Sequence, residues 1–152
     1  MTGFVHDDLT VGSRLQRVVC EQITRTQIVQ YAGASGDYSP LHTDEPSAVR
    51  DGYRGVMAHG MMVMAATECV LAEVISRDRL IYYGARFRSP VWPGDTLTAT
   101  VEVTAVREEA DGWYVDLEVY TTNQDGVTVL TGSASARIRH PADRRQSSKN
   151  GG

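Results

Sequence analysis

Asp37 and His42 stand five positions apart in the run "YAGASGDYSPLHTDEPSA", residues 31–48, with Pro40 between them and glycines at 33 and 36. A carboxylate and an imidazole held on one short segment can polarise a single water, one group accepting a proton while the other delivers one. That is the requirement for adding water across a polarised double bond or removing it. The same residues also serve plainer ends, because an aspartate near a glycine is ordinary turn chemistry and a histidine close by can simply pack. Spacing alone leaves both readings open. His42, Asp44 and His59 form no Cys/His cluster and no His-x-x-x-His pair, so no metal is expected.

The elements that must position the pair follow from periodicity. Residues 11–23 alternate imperfectly between apolar and polar and predict a first strand. Thr24 and Gln27 have the spacing of a capping box, and Ile28, Tyr31 and Ala32 share a face, which predicts a helix over 25–32 that Gly33 and Gly36 end. Pro40 has no amide hydrogen and pushes Ser39 toward extended geometry. A rigid loop over 35–43 is therefore expected to carry both Asp37 and His42. A second helical turn is expected over 46–50, with Gly52 closing it.

From Met61 to Ser76 there is neither glycine nor proline, and apolar residues surround most of the helix, which predicts burial on nearly all sides. Four strand-like runs follow (80–88, 96–106, 113–122 and 127–138), separated by "SPVWPGD", "REEADG" and "NQDG", turn chemistries suited to antiparallel connections. In the second run Leu97, Ala99, Val101, Val103 and Ala105 are expected on one buried face. The whole reads as an α+β design, an antiparallel sheet wrapped around one long buried helix.

Composition narrows the function. The chain has 152 residues, 41% of them hydrophobic, enough for one domain with a real core. A net charge of −4, with Lys149 the one lysine among fifteen basic residues, argues against nucleic acid as a partner. Two cysteines, Cys20 and Cys69, lie in strand-like and apolar runs and read as buried free thiols in a reducing compartment. No basic region followed by an apolar stretch opens the chain, and the apolar run 61–75 carries Glu68 and Glu73, so a cytoplasmic protein without membrane contact is expected. The tail "HPADRRQSSKNGG", residues 140–152, lacks the apolar content to fold and is expected to be disordered beyond a domain over 1–139.

Three stretches together resemble the MaoC-like dehydratases, the family of the (R)-specific enoyl-CoA hydratases. Gly36, Asp37, Pro40 and His42 match its G-D-x-N-P-x-H signature and Ala48 the small residue six positions after the histidine, "MAHGMMVMA" (57–65) resembles its helix start, and "RFRSPVWPGDTLT" (86–98) resembles its F-x-x-P-V-x-P-G-D strand and turn. The resemblance implies a hot-dog fold. It also implies reversible hydration of trans-2-enoyl thioesters to (3R)-3-hydroxyacyl thioesters, with Asp37 and His42 catalytic and no cofactor beyond the coenzyme A or acyl carrier protein that bears the substrate. Gly60 opens the buried helix, so its unshared amide, at the positive end of the helix dipole, is the expected oxyanion donor. His59 is read as shaping the turn. Tyr31, Tyr53 and Met57 are expected to wall an acyl channel. Ser39 stands where the family usually has asparagine and is expected to bear on substrate range rather than on chemistry. An edge strand and apolar surface left by a half-open sheet imply a homodimer, or a heterodimer with another hot-dog chain. Two rivals remain: a hot-dog thioesterase, which would not need His42 at this loop, and a non-catalytic partner subunit that binds acyl thioesters.

Overall fold

A computed structural model describes residues 9–138; Arg139 and the tail from 140 to 152, expected to be disordered, lie outside the described residues. Strand β1 (Arg14–Cys20) leads through Thr24 into α1 (Arg25–Ser35). The short helices α2 (Pro40–Thr43) and α3 (Glu45–Arg50) follow, then α4 (Gly60–Val74), a 3-10 turn (Arg77–Arg79) and the strands β2 (Leu80–Phe87), β3 (Leu97–Glu109), β4 (Gly112–Thr122) and β5 (Thr128–Ile138). The five strands form one sheet in the order β1-β3-β4-β5-β2, every pair antiparallel. Helix α4 lies across β1, β3 and β4. This is the sheet around a helix that the strand pattern predicts.

The core forms where the inner face of the sheet meets α4. Val63, Val70, Leu71 and Val74 of the helix pack in one cluster with Ala99, Val101 and Val103 of β3 and Val115, Leu117 and Val119 of β4. Burying each Val or Leu contributes about 1.5–3 kcal/mol. A buried polar contact between hydroxyls crosses this interface. The Thr67 hydroxyl donates to the Val63 carbonyl at 2.9 Å, so its hydrogen is spent, and the buried Thr121 hydroxyl of β4 donates to it at 2.6 Å.

Three expectations need correction. Helix α4 is not buried on nearly all sides: Met61 (56% exposed), Ala65, Cys69 and Glu73 recur every fourth residue as an exposed stripe, because the sheet covers only the opposite face. Cys69 is therefore exposed rather than buried; Cys20 is half-buried, and burial pushes its thiol up from its ordinary value. In β3 a bulge between Val103 and Ala105 inserts an extra residue, so Val106, paired with Val115, turns to the core in place of Ala105.

Tyr83 ties the edge strand β2 to the helix by donating its hydroxyl to the Met64 carbonyl at 3.1 Å. Burial pushes its pKa up from 10.0 to about 12. A raised phenol contributes stability that is whole below the unfolded value of 10.0 and lost as pH rises through the folded value. Thermal unfolding followed between pH 9 and 12 is expected to show that loss beginning near pH 10, and the Tyr83→Phe protein is expected to lack this component of the alkaline slope.

Candidate active site

The capping box holds at the start of α1, where the Gln27 amide donates to Thr24 Oγ1 at 3.1 Å and the Thr24 amide donates to Gln27 Oε1 at 2.8 Å. The helix runs through Gly33 and stops at Gly36, whose φ of 76° is left-handed and whose amide closes on the Ala32 carbonyl. Asp37 is the next residue. Its amide donates to Ser35 Oγ at 3.2 Å, and its Oδ1 accepts the Ser39 amide at 3.2 Å, an Asx turn that aims the carboxylate.

His42 is not on a loop, as expected, but on α2, a helical turn that Pro40 opens. The proline bars helix for the residue before it and suits the first helical position itself. Ring nitrogen Nδ1 of His42 lies 2.8 Å from the Met57 carbonyl, so it carries the hydrogen, and Nε2 is left 4.0 Å from Asp37 Oδ2. A water about 2.8 Å from each would bridge that gap. The side chain of Asp37 is half exposed and that of His42 nearly buried, so the pair joins solvent to the interior.

The segment before α4 completes the site. Met57 accepts from His42, the Ala58 amide donates to the Val91 carbonyl at 2.8 Å, and the His59 ring lies against both members of the pair. Met62 and Val63 take the His59 carbonyl, which leaves the amides of Gly60 and Met61 with no acceptor inside the helix. A cavity of about 320 Å³ opens beside them, lined among others by His42, Tyr53, Met57, Gly60, Val63 and Phe87. A larger depression of about 830 Å³ lies on β2, β4 and β5, and neither Asp37 nor His42 lines it.

Of the residues predicted from sequence, the structure brings His42, Gly60, Tyr53 and Met57 to one cavity, and Asp37, which does not line it, faces His42. Tyr31 does not wall the cavity; its ring, centred 4.9 Å from that of His59, backs the histidine instead. Ser39 is exposed and acts through its backbone, its amide on Asp37 and its carbonyl accepting from the His42 amide, while its side chain makes no capping bond. Two residues were missed. His59, read as shaping a turn, lies beneath His42. Phe87 places its ring about 2.9 Å from where a Gly60 Cβ would stand, so glycine serves both packing and amide access there. Donor atoms of Asp37, His42 and His59 all fall within 4.8 Å of one another. However, one nitrogen of each ring is committed to a carbonyl, and the rings are stacked at 26°, so the remaining lone pairs lie in nearly parallel planes. The set suits a water better than a cation.

The sequence profile described as MaoC like domain matches residues 8–124. Among curated proteins, the (R)-specific enoyl-CoA hydratase of Aeromonas caviae is 29% identical over 132 residues, 86% of this chain and 96% of that protein. The mitochondrial 3-hydroxyacyl-[acyl-carrier-protein] dehydratase of Arabidopsis thaliana is 30% identical over 110 residues, 72% of this chain and 66% of that protein. Among solved structures, the MaoC-like dehydratase from Rhodospirillum rubrum superposes with a TM-score of 0.75 at 26% identity, over 88% of this chain and 96% of that one. The fold is that of the hot-dog dehydratases. No helix among the described residues is long and apolar enough to cross a membrane.

Proposed function

Because the chain belongs to the MaoC-like domain family, we propose that it is a hydro-lyase that adds water reversibly to trans-2-enoyl thioesters and gives (3R)-3-hydroxyacyl thioesters. The observation that carries this reading is the facing of Asp37 Oδ2 and His42 Nε2 across 4.0 Å, with the cavity and the Gly60 amide beside them. The water oxygen bonds to C3 while one member of the pair takes its proton, and C2 receives a proton from the pair, so the site's net proton count is unchanged. Negative charge gathers meanwhile on the thioester oxygen as an enolate, and the unshared Gly60 amide at the head of α4 receives it in this reading. Acid–base work on one water needs no group beyond the thioester carrier, coenzyme A or acyl carrier protein.

A homodimer is proposed with it. Strand β2 is an edge of the sheet, and Ile81 (61%), Tyr82 (55%) and Phe87 (50%) are exposed along it, apolar surface that a second copy covers well. Phe87 also lines the cavity, so a mate there stands next to the site.

The test is turnover of crotonyl-CoA per folded molecule, with free thiol followed in parallel to expose thioester hydrolysis. Asp37→Asn and His42→Gln keep size and some hydrogen bonding but cannot exchange the proton; each is expected to lose about a hundred- to ten-thousandfold in turnover while still binding thioester. Full turnover in a folded Asp37→Asn protein refutes the reading. Gly60→Pro removes the amide donor at a position where proline suits the helix and is expected to lower turnover about a hundred- to thousandfold. Gly60→Ala, which meets the same Phe87 ring but keeps the donor, separates clash from chemistry. Sedimentation at micromolar concentration is expected to give a dimer. A monomer contradicts that part, and assembly only with a different hot-dog chain replaces it.

A further inference from the structure

We propose that His59 is the positioning residue of the acid–base pair, one buried ring that holds Asp37 by a hydrogen bond and His42 by stacking. The role in turnover rests on the hydration reading above; the geometry does not. His59 is 2% exposed, and its Nε2 lies 3.0 Å from the Asp37 carbonyl. A carbonyl only accepts, so the hydrogen is on Nε2, and Nδ1 carries a lone pair. Nδ1 is buried and has no partner among the described residues. An imidazole kept only to fill space would be a poor choice there, because an apolar side chain fills it without stranding a polar atom. Helix capping does not explain it either: His59 occupies the N-cap of α4, where Ser, Thr, Asp and Asn are preferred, and its side chain makes no capping bond. What the ring does is hold the pair.

The two held groups belong to different segments. Asp37 follows the left-handed end of α1 and His42 rides on α2, and locally they are linked through Ser39, whose amide donates to Asp37 Oδ1 and whose carbonyl accepts the His42 amide. His59 reaches both from a third segment. Its ring centroid is 3.8 Å from that of His42 with 26° between planes, which sets the tilt of the His42 ring, while the Met57 carbonyl sets its rotation. Tyr31 backs His59 from α1 at 4.9 Å. The 4.0 Å gap in which one water would sit is thereby defined from the start of α4.

Imidazole nitrogen–proton correlation NMR on the wild-type protein reads the two tautomers without any substrate. The expected result is the hydrogen of His59 on Nε2 and that of neutral His42 on Nδ1; a His59 hydrogen on Nδ1 overturns the proposal. Two variants then divide the two holds. His59→Phe keeps a stacking ring and loses the donor, while His59→Gln keeps a donor near the Nε2 position and loses the ring. With crotonyl-CoA each is expected to lower kcat about ten- to a hundredfold with KM unchanged, the mark of misplaced reacting groups rather than lost binding. Wild-type kcat per folded molecule in either variant overturns the proposal, and if neither folds the tautomers decide it. A wild type inert toward every enoyl thioester defeats the hydration reading, whereas the tautomers still judge the hold on Asp37 and His42.

Discussion

Everything at the site depends on how the backbone of residues 56–60 satisfies its buried polar groups. Such groups must find partners, and here the partners include His42 and the backbone on either side of it. Leu41 accepts the Met57 amide, His42 donates to the Met57 carbonyl, Val91 accepts the Ala58 amide, and the His59 ring turns back to Asp37. One short extended segment thus joins α2, the turn after α1 and the loop before β3, and then becomes the first turn of the central helix. Candidate site groups from four places in the chain meet along that segment.

This arrangement explains which parts were legible in the sequence. The capping box at Thr24 and Gln27, the Gly36 stop and the strands between turn signals are local, and the structure keeps them. Proline at 40 is local too, but it carries two opposed rules: it bars helix before it and favours helix from it. Applying only the first made a loop of α2. The bulge after Val103 shifts the phase of the β3 pattern by one residue, and no residue type there announces it. Gly36, Asp37, Pro40 and His42 could be found because they lie within a few positions of one another.

His59 escaped because its partners are far away in sequence, 22 residues for Asp37. A histidine before a glycine looks like turn chemistry until the fold brings it beneath another histidine. The same holds for Phe87 on Gly60 and for Tyr31 behind His59: each is an aromatic residue whose neighbour is decided by tertiary packing and not by period. The exposed stripe on α4 was hidden for a related reason. Met61, Ala65 and Cys69 are apolar enough to read as core, and only the curvature of the sheet determines which side of the helix goes uncovered.

The hydroxyl contact between Thr67 and Thr121 has a bearing well beyond its own neighbourhood. Dispersion contacts between aliphatic side chains tolerate a helix sliding along a sheet, but a directional bond of 2.6 Å does not survive a step of about 1.5 Å, the rise of one residue. The pair therefore acts as a detent in the middle of a mostly apolar track, alongside the Tyr83 bond to the Met64 carbonyl. It fixes how far the head of α4 protrudes toward Asp37 and His42, two turns away, as a stop on a ruler fixes where zero lies. Swapping aliphatic residues around that stop changes how tightly the helix is gripped, whereas losing the stop itself changes where the helix ends.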